Sequence, residues 1–333
     1  MALPLAVTMG EPAGIGGEIA LKAWLERRDG PPPFYLIDDP DRLASLAQRL
    51  GWPVPIRAID APDQAPAIFG EALPVVPIGK PIRAPPGRPD PDDAPAILGA
   101  IQTAVRDVRG GRAAALVTNP IHKETLYRAG FHHPGHTEYL AELAEADGAP
   151  IMMLVCPGLR VVPVTIHLAL RRAIENLCSA AIVHAGRITE AALRLDFGLA
   201  APVLAVAGLN PHAGEAGSLG REEIEIIEPA LAELHAAGID ARGPLPPDTM
   251  FHAEARSSYD AALCMYHDQA LIPIKTIDFH GGVNVTLGLP FVRTSPDHGT
   301  ALAIAGRGVA RPDSLIAALR LAAEMAARRL ADS

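Results

Sequence analysis

The segment "VVPVTIHLALRRA" (residues 161–173) runs from an apolar strand, past one histidine, His167, into a helix-like stretch. The same order recurs in "VLAVAGLNPHAGE" (203–215), where His212 follows the strand, and in "AALCMYHDQA" (261–270), where His267 does. Strands that lead into helices are the building units of α/β proteins, whose ligand sites gather at the carboxyl ends of parallel strands. These three segments therefore predict both a fold class and the place where function is concentrated.

The same alternation of strand and helix extends along the rest of the chain. "PLAVTMG" (4–10) precedes "GGEIALKAWLERR" (16–28), and "FYLIDD" (34–39) precedes "PDRLASLAQRL" (40–50). "PDSLIAALRLAAEMAARRL" (312–330) reads as a closing helix that starts at a proline. Continuous apolar strands between amphipathic helices are typical of a sheet covered on both faces. The predicted fold class is α/β.

Composition excludes several classes of partner. The chain has 333 residues, 49% of them hydrophobic and 20% charged, with a net charge of −9. An acidic chain lacks the basic face that nucleic-acid binding needs, and the absence of an 18-residue apolar run argues against a membrane span. Because the three cysteines cannot all pair, we interpret them as reduced thiols and expect a cytoplasmic protein. They are Cys156, Cys178 and Cys264.

The three strand-end histidines are candidates for a metal site. Imidazole is the commonest metal ligand among side chains, and three imidazoles with open positions form a catalytic arrangement. Their spacings of 45 and 55 residues carry no local metal signature, so only the fold could bring them together. A single histidine at a strand end is more often a satisfied core residue or a surface side chain. Both interpretations remain open for each of the three.

Two glycine-containing loops and one histidine-rich loop are weaker candidates. In "GFHHPGHTEYLAELA" (130–144), Thr137 could simply be an N-cap, or His136 and Thr137 could face an anion from a helix N-terminus. "GEPAGIGGE" (10–18) follows the first strand but is not GxGxxG, so tight packing is an alternative to phosphate binding. "DHGTALAIAGRGV" (297–309) comes too late to be a first strand–helix turn.

Three polar residues interrupt apolar runs within nineteen residues of each other: Lys275, Asn284 and Arg293. We interpret the surrounding segments as strands. A buried cation is costly unless it is paired, so each residue either lies on an exposed face or binds an anion. Together they favour a phosphate or carboxylate ligand, which Arg293 could bind bidentately.

Several long motifs resemble those of the 4-hydroxythreonine-4-phosphate dehydrogenase family of vitamin B6 biosynthesis. They are "GEPAGIGGE", "TNPIHKETLYRAGFHHPGHTEYLA", "GLNPHAGEAGSLGREE", "GPLPPDTMF", "MYHDQALIPIKT" and "GGVNVTLGLPFVRTSPDHGTALAIAGRG". More distantly, the first and last are similar to isopropylmalate and isocitrate dehydrogenases. The resemblance implies two α/β/α sub-domains with a central cleft, in a homodimer. We expect residues 1–120 plus 296–333 to form a cofactor-side domain, and 121–295 a metal, substrate and dimerisation domain.

Matched position by position, the resemblance also implies roles for individual residues. His167, His212 and His267 match divalent-metal ligands, and we expect His267 to come from the partner subunit relative to the other two. The residues matching substrate contacts are His136, Thr137, Lys275, Asn284 and Arg293. The segment that would hold the adenosine end of the cofactor contains His298, Gly299, Thr300 and Ala301. Asp248 and Lys275 are the candidates for the general base.

The reaction implied by the resemblance oxidises the C3 hydroxyl of 4-phospho-hydroxy-L-threonine, with NAD or NADP accepting hydride. The product, 2-amino-3-oxo-4-phosphooxybutanoate, is a β-keto acid that decarboxylates to 3-amino-2-oxopropyl phosphate on the route to pyridoxal 5'-phosphate. One divalent metal per active site would polarise the hydroxyl. Nitrogen ligands favour zinc, cobalt or nickel over magnesium by softness, although availability in the cell can reverse that order.

Other functions remain open from the sequence. A related dehydrogenase could act on 4-phospho-threonate, 4-phospho-erythronate or an aromatic cis-dihydrodiol carboxylate. A three-histidine metal hydrolase would need no nicotinamide, and a non-catalytic metal-binding module would leave no open coordination position. NAD and NADP are not distinguished, because no acidic residue after the second strand can be assigned to the ribose.

Overall fold

The computed structural model describes residues 3–28, 30–133 and 135–331. Its strands alternate with helices along most of the chain. The strands are β1 (Leu5–Thr8), β2 (Phe34–Asp38), β3 (Ile56–Ala58), β4 (Leu73–Pro77), β5 (Leu116–Thr118), β6 (Ile151–Cys156), β7 (Leu159–Pro163), β8 (Val203–Ala207), β9 (Asp240–Leu245), β10 (Ala261–Cys264), β11 (Val283–Leu287) and β12 (Arg293–Pro296).

The α-helices vary from single turns to a long closing helix. They are α1 (Gly16–Leu25), α2 (Pro40–Leu50), α3 (Ala65–Ile68), α4 (Ala94–Arg109), α5 (Lys123–Arg128), α6 (His136–Ala144), α7 (Leu170–Asn176), α8 (Ser179–Leu195), α9 (Glu228–Ala236), α10 (Ala253–Arg256), α11 (His267–Ile277) and α12 (Asp313–Ala331). The predicted α/β class is confirmed.

Helix α2 illustrates how local sequence sets these boundaries. The Asp39 carboxylate accepts hydrogen bonds from the backbone N–H groups of Asp41 and Arg42, which have no partner inside the helix. Pro40, the first helical residue, needs no such partner. The helix ends at Gly51, which adopts a left-handed conformation (φ 69°) that glycine tolerates without strain.

The chain divides into two compact units, and six of the strands belong to each. The first unit comprises Met1–Pro150 and Leu289–Leu330. Its strands are parallel, in the order β3-β4-β2-β1-β5-β12. Helix α4 packs on β1, β2 and β5 through fully buried residues such as Ile97 and Ile101. Burying each such side chain contributes roughly 1.5–3 kcal/mol, so this helix fixes the centre of the sheet.

The second unit, Ile151–Gly288 with Ala331–Ser333, has the strand order β11-β6-β7-β10-β8-β9. Strands β7, β10, β8 and β9 are parallel, while β6 runs antiparallel to both β11 and β7. Strand β10 lies between β7 and β8, and its four residues are all buried. The carboxyl ends of β7, β10 and β8 therefore form one continuous edge.

Three predictions about local structure or boundaries need correction. The segment around Lys275 forms helix α11, not a strand, even though Pro273 lies inside it. Thr137 is not the N-cap of α6, because Gly135 occupies that position. The units meet at 150/151 and 288/289, not at 120/121 and 295/296. The reason is that Leu126 and Leu140, from α5 and α6, pack into the first unit's core.

Two further sequence expectations concern the membrane and the thiols. Within the described ranges no helix combines the length and apolar character needed to cross a bilayer. All three cysteines carry free thiols: Cys156 and Cys264 are buried, and Cys178 is exposed.

Candidate functional site

Three histidines follow three neighbouring parallel strands in the second unit. His167 lies four residues after β7, His212 lies five residues after β8, and His267 begins α11 just after β10. Because β10 is hydrogen-bonded to both β7 and β8, the three segments leave the sheet at the same edge. The expectation that these histidines occupy equivalent strand ends is met.

The rings of His167 and His267 lie side by side, with centroids 5.7 Å apart. Nδ1 of His267 is 2.7 Å from a carboxylate oxygen of the next residue, Asp268. When Nδ1 donates that hydrogen bond, Nε2 carries the lone pair that a metal needs. Asp268 was not singled out from the sequence, although its position directly after a candidate ligand was a usable signal.

His212 sits in an unusual backbone segment. The five residues from His212 to Ala216 all have positive φ, with 51° at His212 itself, and His167 also has a positive φ of 29°. Non-glycine residues in this region carry strain that the surrounding structure must offset. Such strain is concentrated at functional sites, so it supports a role for both histidines.

The three histidines are not gathered into a complete metal site by one chain. Among the residues that the structure describes, no group of three or more histidine, cysteine, aspartate or glutamate side chains is arranged to hold a metal. The donor chemistry nevertheless fits zinc or cobalt, because three imidazoles leave positions open for substrate or water. The ligand assignment remains a prediction.

Arg293 is a buried cation in the first unit. It is only 4% exposed, and its Nη2 donates a 2.6 Å hydrogen bond to the hydroxyl of Thr118 at the end of β5. Burial lowers its pKa to about 10, which still leaves the guanidinium charged at neutral pH. A buried guanidinium that stays charged is suited to bind a phosphate or carboxylate through two parallel donors. This environment favours the predicted anion-binding role.

His136, the first residue of α6, belongs to the same unit as Arg293. Its Nε2 is buried and has no hydrogen-bond partner in the described ranges. Burial holds the pKa of His136 well below its ordinary value, and the positive charges of Arg293 and Lys123 lower it further. The imidazole is therefore neutral at physiological pH and can donate a hydrogen bond to an anion. Thr137 follows it in the first turn of the helix.

The remaining predicted substrate residues lie in the second unit. Asn284 is on β11, and its Oδ1 is buried without a partner in the part of the chain that the structure covers. Lys275 is half-buried on α11, with its Nζ 5.5 Å from the ring centroid of Phe279. Asp248 is exposed in a short turn after β9, where it is accessible to solvent.

The late glycine-containing loop is anchored to the N-terminal region of α1. The carbonyl of Thr300 accepts a hydrogen bond from the backbone N–H of Ile15, and a Cβ at Gly14 would come within 2.9 Å of that same carbonyl. The buried carboxylate of Glu18 accepts from the backbone N–H of Gly306. The glycine at position 14 thus permits close packing of two loops. This favours the packing interpretation of "GEPAGIGGE" over a phosphate loop.

The four predicted cofactor residues lie in this anchored loop. His298 and Gly299 precede Thr300, and Ala301 adopts a positive φ of 46°. The anchoring gives the loop a defined backbone, which a cofactor-binding segment requires.

Glu11 is an unusual buried acid that was not singled out from the sequence. It is 1% exposed, its Oε1 accepts a hydrogen bond from the backbone N–H of Ala13, and its Oε2 has no partner among the described residues. Burial raises its pKa to about 7, while the hydrogen bond from Ala13 opposes the rise. Nothing in the motif "GEPAG" distinguishes this buried carboxyl from an exposed one.

The raised pKa of Glu11 predicts a measurable pH dependence of stability. Because the folded state holds this proton more tightly than the unfolded state, the free energy of unfolding falls as pH rises from 4.5 to about 7. Wild-type protein should lose roughly 3 kcal/mol over this range that Glu11→Gln does not lose. Urea unfolding at about pH 5 and about pH 8 measures the difference. Parallel curves for wild type and variant would contradict the assignment, and the exposed-acid variant Glu71→Gln serves as the control.

An α/β fold that delivers three imidazoles to the carboxyl ends of neighbouring parallel strands has polar side chains where α/β enzymes bind their ligands. The sequence profile described as "Pyridoxal phosphate biosynthetic protein PdxA" matches residues 31–322. The chain belongs to this family.

Relatives and solved structures point the same way. A 4-hydroxythreonine-4-phosphate dehydrogenase of Bradyrhizobium diazoefficiens is 59% identical over 98% of each chain. A crystal structure of the enzyme of that name from Klebsiella pneumoniae is 38% identical, covers 98% of this chain and 100% of its own, and has a TM-score of 0.88. A terephthalate 1,2-cis-dihydrodiol dehydrogenase from Burkholderia xenovorans is 27% identical, with coverage of 97% and 98% and a TM-score of 0.64. The chain is accordingly an enzyme of the oxidoreductase class.

Proposed function

We propose that the protein oxidises the C3 hydroxyl of 4-phospho-hydroxy-L-threonine with NAD or NADP, in the biosynthesis of pyridoxal 5'-phosphate. The product, 2-amino-3-oxo-4-phosphooxybutanoate, then decarboxylates to 3-amino-2-oxopropyl phosphate. The observation that carries the proposal is the delivery of His167, His212 and His267 from three adjacent parallel strands to one sheet edge. The high identity to dehydrogenases of that name supports the choice of substrate.

The three imidazoles would hold one divalent cation, with zinc or cobalt better suited to them than magnesium. When bound, the cation would supply Lewis-acid polarisation of the substrate hydroxyl. The chain's own task is to hold the imidazoles in their metal-binding tautomers. Asp268 does so for His267 by accepting from Nδ1, which keeps Nε2 available.

Arg293, His136 and Thr137 would bind the phosphate or carboxylate of the substrate in the first unit. The guanidinium supplies charge and two parallel donors, while neutral His136 supplies a hydrogen bond without adding charge. In the second unit, Lys275 and Asn284 are the corresponding candidates. Fixing an anionic group at a distance from the reacting carbon orients the C3 hydrogen for transfer.

A general base must accept the hydroxyl proton. Lys275 and Asp248 are the candidates that we propose, and Lys275 is the more shielded of the two. The dinucleotide would bind along the loop that contains His298, Gly299, Thr300 and Ala301. Free thiols fit a reducing compartment, so a cytoplasmic location is part of the proposal.

We further propose that the working form is a homodimer with shared active sites. One chain does not assemble a three-ligand group within the described ranges. Large apolar side chains in the chain segments that follow His167 and His267 are also exposed, which is typical of an interaction surface. They are Leu168, Leu170, Ile174, Ile272 and Phe279.

Mixing two inactive variants tests which histidine crosses between subunits. If His267 is contributed by the partner, His167→Ala mixed with His267→Ala should recover about a quarter of wild-type activity, because each mixed dimer then has one intact site. The matched control, His167→Ala with His212→Ala, should recover none. Since the rings of His167 and His267 are neighbours within one chain, the reverse pattern is the competing outcome. It would show that His212 is the crossing ligand.

The substrate assignment is tested by following reduced nicotinamide formation with purified enzyme. We expect 4-phospho-hydroxy-L-threonine to give the highest kcat/KM, with either NAD or NADP. The similarity to a dihydrodiol dehydrogenase keeps an aromatic cis-dihydrodiol carboxylate as a second candidate, to be assayed beside 4-phospho-threonate and 4-phospho-erythronate. A higher kcat/KM for any of these would overturn the proposed substrate. No reduction with any of them would contradict the proposed function.

A further inference from the structure

Gln269 is a buried residue of α11 that is hydrogen-bonded to the segments carrying two of the candidate metal ligands. It lies in the first turn of α11, two residues after His267, and is 6% exposed. Its Oε1 accepts a 2.6 Å hydrogen bond from the backbone N–H of Met265, and its Nε2 donates a 2.8 Å hydrogen bond to the carbonyl of Gly208. Met265 leads into the His267 segment, and Gly208 opens the segment that carries His212. One side chain thus connects two candidate ligand segments.

The third segment joins the same network through Thr165, which is buried two residues before His167. Its hydroxyl donates a 2.7 Å hydrogen bond to the carbonyl of Met265, and its backbone N–H lies 3.3 Å from the same oxygen. Met265 therefore binds Thr165 through its carbonyl and Gln269 through its N–H. The segments of all three histidines are linked through this one backbone residue.

The two hydrogen bonds at position 269 require an amide side chain. The group at position 269 must accept a hydrogen bond from Met265 and donate one to Gly208, and these requirements fix the orientation of the Gln269 amide. An ionised carboxylate of similar shape could satisfy only the N–H of Met265. An apolar side chain would leave both buried backbone groups unpaired, which is costly.

A second buried side chain, Glu223, also holds the His212 segment. Oε1 of buried Glu223 accepts 2.8 Å hydrogen bonds from the backbone N–H groups of Leu209 and Asn210, and its Oε2 accepts from the Asn210 side chain. Gln269 and Glu223 thus fix consecutive residues of the segment just before the strained backbone at His212. The segment is held at its base while the imidazole is exposed.

We infer that Gln269 is a positioning residue for the metal site: it fixes the His212 segment and the His267 segment of one chain relative to each other, so that each presents its imidazole to a cation shared with the partner subunit. The inference rests on the proposed metal-binding role of these histidines and adds a residue that touches neither metal nor substrate. Outer groups that orient ligands typically change metal affinity by about 10–100-fold when they are removed.

The test uses metal-free full-length enzyme titrated with Co²⁺, whose visible spectrum reports ligand number and geometry. Gln269→Met, which matches the length of the side chain and removes both hydrogen bonds, should weaken Co²⁺ binding by about 10–100-fold and change the spectrum. Gln269→Glu, which can keep the bond from Met265, should fall between this variant and wild type. Ser179→Ala is the matched control, because it removes one hydrogen bond to the carbonyl of Ile226 in the same unit, outside the histidine segments.

The possible outcomes separate this inference from the proposed function. If wild-type protein binds Co²⁺ through histidine nitrogens but Gln269→Met binds it as tightly as Ser179→Ala does, the positioning role is wrong. If wild-type protein itself binds no Co²⁺ through histidine nitrogens, the proposed metal site is wrong, and the role of Gln269 is not what has failed. If Gln269→Met does not fold, the Co²⁺ affinity and spectrum of Gln269→Glu and Thr165→Val test the inference instead. Wild-type affinity and spectrum in both would refute the inference, and a weakened site in either folded variant would support it.

Discussion

Replacing His212 with alanine is expected to abolish metal-dependent turnover while leaving the fold largely intact. We expect kcat/KM to fall at least about 1,000-fold, because the variant loses both a ligand and the polarisation that the cation supplies. The fold should persist because the His212 side chain is exposed and its segment is held by Gln269 and Glu223 through bonds that do not involve the imidazole. Steady-state kinetics and circular dichroism measure the two parts of the prediction.

The control is His235→Ala, which removes a histidine from α9 whose Nε2 lies 2.6 Å from the carbonyl of Ala241. This variant should keep wild-type kcat/KM and its response to chelator. Full activity of His212→Ala after chelation would defeat the ligand assignment. Collapse of its secondary structure would instead mean that His212 has a structural role.

Replacing Arg293 with lysine is expected to lower kcat/KM by about 100-fold, mainly through a higher KM. Lysine keeps a positive charge but loses the planar pair of donors that can bind a phosphate or carboxylate bidentately. It also removes the guanidinium that Thr118 now holds in place. Initial-rate kinetics at several substrate concentrations separate the KM effect from the kcat effect.

The matched control for Arg293 is Arg187→Lys, at an exposed arginine paired with Glu233 on the surface. It should be kinetically silent, because exposed pairs contribute little and this one lies outside the candidate site. An unchanged KM for Arg293→Lys would contradict the anion-binding role. A lower Tm with normal kinetics for Arg293→Lys would mean that Arg293 stabilises the fold and does not bind substrate.

The sequence alone was sufficient to predict the class and the strand-end histidines, because both depend on strong, repeated patterns. Apolar runs of strand length followed by amphipathic segments mark α/β units wherever they occur. His167, His212 and His267 could be placed at strand ends for the same reason. Their order in space could not, since β10 lies between β7 and β8 only through long-range pairing.

The three corrected predictions, on the Lys275 segment, the N-cap of α6 and the division into units, each have an identifiable structural cause. The apolar residues around Lys275 fit strand and helix patterns equally well, and tertiary packing selected the helix. Gly135 caps α6 through its backbone conformation, which a preference for threonine at N-caps does not reveal. The predicted division at 120/121 followed sequence motifs, whereas the actual one follows the burial of residues such as Leu126 and Leu140 in the first core.

Buried polar groups were the least predictable feature. Glu11, Gln269 and Thr118 have ordinary residue types in ordinary motifs, and their importance comes from what surrounds them. Gln269 acquires its role only because β8 and β10 are neighbours, so that Gly208 and Met265 come within reach of one amide. Such contacts depend on topology, not on local spacing.

The central claim is that three distant imidazoles share one cation. The most direct measurement is anomalous diffraction from crystals of the cobalt-loaded enzyme, in a structure that includes every subunit of the oligomer. We predict one cobalt peak in each active site, at about 2.0–2.3 Å from ring nitrogens of His167, His212 and His267, with at least one ligand from a second subunit. Ring nitrogens too far apart to share an ion, even across subunits, would contradict the account.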